Sequence, residues 1–228
     1  MENLPVYISL VFGLTTLITL ALFYKASINS RSLLIILVCW LILQSFIGIS
    51  GYYTETDLFP PRLFAIVLPP MLLILVLFNN YKGKQFLDKF DVKVLTILHV
   101  VRIPVEIVLY WLFVQQTVPE LMTFEGRNFD IISGLTAPII FYFGYIKKQI
   151  SNKLILVWNF ICLGLLLNIV INAALSAPFQ FQQFAFEQPN IAVLHFPFNL
   201  LPGFIVPIVL FSHLVCIRQL LKEIKNKV

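Results

Sequence analysis

The sequence is short of charge. Asp, Glu, Lys and Arg make up 12% of its 228 residues, where an ordinary soluble domain has about 25%. A chain kept in water by a charged surface is thereby excluded. Cysteine is scarce too: Cys39, Cys162 and Cys216 all stand in apolar stretches with no CxxC pair. That excludes a disulfide framework and predicts free thiols that behave as small apolar groups. HExxH, GxSxG, a phosphate-cradling glycine loop and a suitably spaced acidic pair are all missing, so no enzyme is indicated. No lysine stands in the last apolar run before Lys222, which removes a retinal Schiff base. A catalytic zinc needs three protein ligands at one place, and His195 falls toward the opposite membrane face from His99 and His213. The start, MENLPVY, has neither a basic leader nor a small-residue cleavage site and is read as the beginning of a mature first span.

Hydrophobic residues fill the space that charge leaves, at 59% with a mean hydropathy of +0.91. Seven apolar runs, at about 5–24, 33–52, 62–79, 93–115, 130–147, 153–176 and 200–219, are bounded by charge and turn residues. Each is close to the roughly 20 residues that a transmembrane helix needs, and none has the short alternation of a barrel strand. The expectation is one all-α integral membrane domain of seven helices, without a sizeable soluble part, in the plasma or inner membrane.

The net charge of +5 does not point to nucleic acid, because the basic residues follow the loops instead of gathering on one folded face. Lys25 and Arg31 follow the first run; Lys82, Lys84, Lys89 and Lys93 the third; Lys147, Lys148 and Lys153 the fifth; Arg218, Lys222, Lys225 and Lys227 the seventh. Only Arg62 and Arg127 fall on the other side. The positive-inside rule then puts the N-terminus outside and the C-terminus in the cytoplasm, and this split requires an odd number of spans. Partners expected from such a chain are the lipid bilayer, a small molecule or ion, and, as a compatible assembly, further copies of itself.

FPPRLFAIVLPPMLLIL at 59–75 and FPFNLLPGFIVPIVLFS at 196–212 align at one offset, matching Phe59 with Phe196, Pro60 with Pro197, Leu63 with Leu200 and Pro70 with Pro207. Parallel repeats of three spans joined by the fourth would produce this echo. Such a plan resembles the three-plus-one-plus-three layout of sugar transporters of the SWEET type, although the Pro-Gln pair that marks them is missing here.

The fourth run, LHVVRIPVEIVLYWLF at 98–113, carries ionisable groups inside an apolar helix. At 3.6 residues per turn, His99, Arg102, Glu106 and Tyr110 form one stripe. With about 1.5 Å of rise per residue, Glu106 lies roughly 20 Å from the cytoplasmic end, where an ionisable group marks a functional site by default. The alternative is a packing pair between Arg102 and Glu106, neighbours at i and i+4. Pro104 should disturb the helix near Val100 and free a backbone acceptor beside the stripe.

Partners at matching depth are His213, the i, i+4 pair Asn168 and Asn172, and Gln44 on a face with Gly48 and Gly51. Near the outer mouth stand Glu125, Arg127 and Asp130, with Asp130 read as the cap of the fifth span and Ser133, Gly134 and Ala137 as its close-packing face. PFQFQQFAFEQPNIAVLHFPF at 178–198 reads first as an aromatic interfacial anchor; the alternative is a lid over an outward cavity with His195 near its base. Three functions fit: binding or translocation of a small molecule or proton through a polar interior; a redox protein holding haem b between His99 and His213; or a sensory or accessory protein with a structural stripe. The first needs no cofactor or metal and is preferred for its buried charge.

Overall fold

The structure is a computed structural model and describes residues 4–226. The apolar runs fold into helices, since a helix satisfies its backbone groups without water. They are α1 (Val6–Ala26), α2 (Arg31–Ile49), α3 (Phe64–Asn79), a short α4 (Tyr81–Leu87), α5 (Val92–Val114), α6 (Ile131–Ile146), α7 (Asn152–Ser176) and α8 (Leu201–Lys225). The described residues contain no strand.

Five of these helices, α1, α2, α5, α7 and α8, are long and apolar enough to cross a membrane, and α3 with α4 makes a sixth when the bent pair counts as one. The run at 130–147 gives only the shorter apolar helix α6. Two features shorten it: Asp130 is drawn inward before the helix begins, and the second half, Ile140–Ile146, widens into a π-helix just after Pro138. Prolines mark the other irregularities as well. A 3-10 turn, His99–Val101, lies one turn ahead of Pro104, and Pro202 opens a π segment at Leu201–Ile205.

Large apolar side chains cover the outside: Leu10, Leu14 and Leu17 on α1, Ile35 and Ile36 on α2, Leu72 and Leu75 on α3, Ile161 and Ile171 on α7. So broad an apolar exterior is consistent with a membrane protein and unlike a soluble monomer. The α8 helix lies at the centre with 67% of its apolar window buried, whereas α2, with 11%, is peripheral. Phe23, Phe90 and Phe211 cluster between α1, the α4–α5 connection and α8, with Phe211 meeting the other two rings edge to face. All three cysteines are free; Cys162 and Cys216 are buried and Cys39 is exposed.

The connections gather at two ends. At one, the Asp91 amide donates to the Ala26 carbonyl (2.9 Å), Arg218 and Lys222 both pair with Asp88, and Asn152 donates to Glu223. At the other, Gln180 donates to the Asp57 carbonyl, the Ile191 amide to Thr117, and Gln188 to Phe113 and Val118. Partial burial alone would raise the Asp88 carboxyl, but hydrogen bonds and charge from Lys222 and Arg218 outweigh it and hold the group below the ordinary carboxylate range. Its contribution is therefore complete at neutral pH and is lost as pH falls through that lowered value. With Asp88 35% exposed, screening keeps the contribution to less than about 1 kcal/mol.

The chain turns by 100° between α3 and α4. The Asn80 side chain accepts from the Lys82 amide and starts α4, which folds back so closely that a Cβ on Gly83 would lie 2.3 Å from the Leu77 carbonyl oxygen. Backbone cannot yield as a side-chain tip does. Gly83→Ala should therefore destabilise the protein by about 1–3 kcal/mol, read as a lowered midpoint of thermal unfolding in detergent.

Candidate functional site

Arg102 is the centre of a buried polar network that joins four helices. Arg102 is 2% exposed, and His99, His213, Asn159 and Ser133 are fully buried around it. Its close approach to α6 depends on the small face expected there: Ser133, Gly134 and Ala137 are all buried, and a Cβ on Gly134 would stand 2.8 Å from the Ile103 side chain. One guanidinium nitrogen donates to Asp130 Oδ1 at 2.7 Å and reaches the Cys162 carbonyl at 3.5 Å. The other lies 3.0 Å from His213 Nε2.

Proton positions follow from donor and acceptor capacity. An arginine can only donate, so His213 Nε2 must accept, and the ring proton sits on Nδ1. That proton points to Asn159 Oδ1 at 2.9 Å, while the Asn159 amide donates to the Ile155 carbonyl at 3.0 Å. The chain Asp130, Arg102, His213, Asn159 and Ile155 is thus directional, running from the N-terminal end of α6 through α5 and α8 into α7. His99 stacks on His213 with ring centroids 3.9 Å apart and 15° between planes, and Trp158 packs beside both rings, with centroids 5.8 and 6.0 Å away. Neither ring nitrogen of His99, nor Arg102 Nε, has a hydrogen-bond partner among the described residues.

Glu106 lies one helical turn beyond Arg102 but does not pair with it. The carboxylate accepts from Asn128 Nδ2 at 2.6 Å, and the same nitrogen also reaches the Met122 carbonyl at 3.0 Å. Asn128 Oδ1 in turn accepts the Asp130 amide at 3.0 Å. The turn at 122–130 therefore presents Asn128 to Glu106 and Asp130 to Arg102, so two buried carboxylates face one buried cation.

Glu106 and Asp130 both line a chamber of about 300 Å³. Its walls come from α3, α5, α7 and α8 and are almost entirely apolar, with Val67, Met71, Val105, Leu109, Val170 and Leu210 among them. Ala177, Phe179, Phe181, Asn190 and Val193 of the 177–200 connection cover it, and Phe179, Val193 and Leu194 are buried there. Asn190 is fully buried and donates to the Ala173 carbonyl, which leaves its side-chain oxygen without a partner. Phe64 and Leu167 line the chamber and are also 37% and 46% exposed, so the chamber reaches the apolar exterior between α3 and α7.

Several expectations need correction. The Arg102–Glu106 pair is replaced by Arg102–Asp130, because Asp130 approaches in line with the guanidinium whereas Asn128 takes up Glu106. Asp130 makes no side-chain cap to α6, since its carboxylate is occupied by Arg102. The 178–198 segment is not only an interfacial anchor: although Phe186 is 70% exposed, the ends of the segment fold over the chamber. His195 does not lie at the chamber's base and is not among its lining residues, nor are Glu125 and Arg127, both exposed. Haem between His99 and His213 is ruled out by the stacking. Two axial ligands approach one iron from opposite faces of a flat macrocycle, and two rings in face-to-face contact leave no gap for it.

Of the remaining candidates, His99, Arg102, Glu106 and His213 come together, while others stand apart. Tyr110 is half-buried and stacks on Phe124 with centroids 5.1 Å apart. Asn168 is exposed and donates to the Arg127 carbonyl, and Asn172 donates back to Asn168. Gln44 belongs to a second cluster: it accepts from Tyr53, and its carbonyl accepts from Asn199, which packs against Gly48. Sequence reasoning missed Asn128, Asn159 and Asn190. Asn159 had a signal, being a lone amide in the apolar run LVWNFICLG; the other two lie in connections whose path the sequence does not reveal.

The chain belongs to a family described as a domain of unknown function, DUF8737, which matches residues 60–221. Neither a curated protein nor a solved structure matches it. The matched stretch contains the whole Arg102 network and every residue of the chamber, while α1 and α2 lie before it.

Removing one member of a buried ion pair leaves the other uncompensated. Asp130→Asn should cost about 3–5 kcal/mol of stability, and the double change Arg102→Met with Asp130→Leu should recover much of that loss. Chemical unfolding of the purified single and double variants measures both.

Proposed function

We propose that this protein crosses the membrane seven times, with its N-terminus outside and C-terminus in the cytoplasm, and that it binds and carries a small molecule through its interior chamber. Support for seven crossings comes from the alternation of the connections. Those after the first, third, fifth and seventh apolar runs meet at one end, and those after the second, fourth and sixth at the other. Among the described residues, the first end also carries twelve of the fifteen basic ones. A bent third span and a short fifth one are compatible with crossing, because non-helical backbone is tolerated at membrane depth where it is buried in protein or lines a cavity. The aligned segments 59–75 and 196–212 both feed their helices from the outer end, and Gly203 packs directly against Ile66. Ile66 and Gly203 hold corresponding positions in that alignment, and their contact supports a three-plus-one-plus-three repeat.

The observation that carries the binding reading is the chamber itself. Protein interiors are close-packed, and one with about 300 Å³ of apolar space, a few convergent polar groups and a cover is organised as a small-molecule site. A polar stripe serving packing alone would need Arg102 and Asp130, but neither the chamber nor the isolated Glu106.

Two measurements test the reading. In a Cys39→Ser background, Lys84→Cys in intact cells should resist a membrane-impermeant thiol reagent and react only after permeabilisation; labelling from outside would reverse the orientation. For the chamber, Ala173→Trp should fill the space and abolish saturable binding of 1-naphthalenemethylamine and 1-naphthalenemethanol to protein in lipid nanodiscs, while the cooperative melt persists. Unchanged binding of both would place the ligand elsewhere.

A further inference from the structure

The polar lining of the chamber has one chemical character. Glu106, Asp130 and the side-chain oxygen of Asn190 are acceptors, and among the described residues no arginine, lysine or histidine side chain lines the space. The Asn190 amide nitrogen is already engaged with the Ala173 carbonyl, so only its unpartnered oxygen is available to a ligand. Among the described residues Arg102 is the one cationic side chain that bonds either carboxylate, and it is directed at Asp130 and His213, not at Glu106. His213 accepts from Arg102 through Nε2 and is neutral, so it adds no positive charge. Around Glu106, α5 contributes Arg102, the 122–130 turn contributes Asn128 and Asp130, and α3, α7 and α8 contribute only apolar side chains to the chamber wall. The carboxyl group of Glu106 therefore lacks a cation of its own, so its ionised form is costly until a cation arrives to pair with it.

Access points the same way. The chamber reaches the apolar exterior at Phe64 and Leu167, an opening suited to a molecule dissolved in the bilayer. A ligand matching both features has an apolar body and a positively charged, hydrogen-donating head. An anion would meet two carboxylates, and a neutral hydrocarbon would leave the acceptors without donors.

We propose that the chamber takes a lipophilic ammonium ion, with its apolar body among Val67, Met71, Val170 and Leu210 and its N–H groups donated to Glu106 and the neighbouring acceptors Asp130 and Asn190. Glu106 is the counter-ion. The assignment rests on the binding reading given above and specifies the ligand class for the same chamber.

Three probes of one shape distinguish the charge states: 1-naphthalenemethylamine, 1-naphthalenemethanol and 1-naphthaleneacetate. Equilibrium dialysis against protein-loaded nanodiscs, with empty nanodiscs subtracted for partitioning, measures each. The amine should bind about tenfold or more tighter than the alcohol, the gain expected of a charge-assisted hydrogen bond, and the acetate weakest of all. In Glu106→Gln the advantage of amine over alcohol should vanish while alcohol binding persists, which also shows that the chamber is folded; Asn190→Leu should reduce amine binding by a smaller factor. Equal affinity of amine and alcohol in the wild type, or an amine preference untouched in Glu106→Gln, overturns the ligand class and leaves the chamber reading standing. Absence of saturable binding by all three overturns both.

Discussion

A guanidinium buried inside an apolar bundle constrains everything near it. Arg102 cannot shed its charge, and it has five N–H donors to place in surroundings that offer few acceptors. Asp130 supplies charge from the start of α6, the Cys162 carbonyl supplies an acceptor from α7, and His213 Nε2 supplies one from α8. A helix carrying Arg102 can reach these partners only in one rotation and at one depth, so the ion pair sets the register of α5 against three neighbours. His213 passes the constraint to Asn159, since accepting from Arg102 leaves its other ring nitrogen as a donor.

The chamber is a consequence of the same pairing. Once Asp130 is drawn to Arg102, the preceding turn is held against α5, with Asn128 against Glu106 and Met122 at the chamber wall. Glu106, one turn farther along α5, faces space that no side chain fills. The contrast between the two carboxylates follows from position: Asp130 lies within reach of the guanidinium, and Glu106 is answered only by a neutral amide. Apolar walls and a cover from the 177–200 connection then isolate a carboxylate whose electrostatic partner is not supplied by the described residues.

The positions of the helices were legible in the sequence because apolar runs and their charged borders are local signals. Seven helical segments were expected, and helices form at each place; the bend after Asn79 and the π geometry of Ile140–Ile146 were not visible, since they depend on Gly83 meeting Leu77 and on packing around Pro138. Helical periodicity and depth pointed to His99, Arg102, Glu106 and His213, which lie near one another in the structure. Periodicity also suggested the wrong partner for Arg102. An i, i+4 neighbour is visible on a helical wheel, whereas Asp130, 28 residues away, is visible only when the path of the 115–130 connection is known. Asn190 was hidden for the same reason, and its place over the chamber depends on how a long loop returns across the bundle.

The central claim is that the bundle holds a small molecule over Glu106, beside the Arg102–Asp130 pair. A cryo-electron microscopy structure of the protein purified in native lipid, without added ligand, tests this most directly. The account predicts non-protein density in the chamber between Glu106 and Asn190, with Arg102 joining Asp130 to His213. A bundle in which side chains close the chamber and Glu106 turns to pair with Arg102 would contradict it.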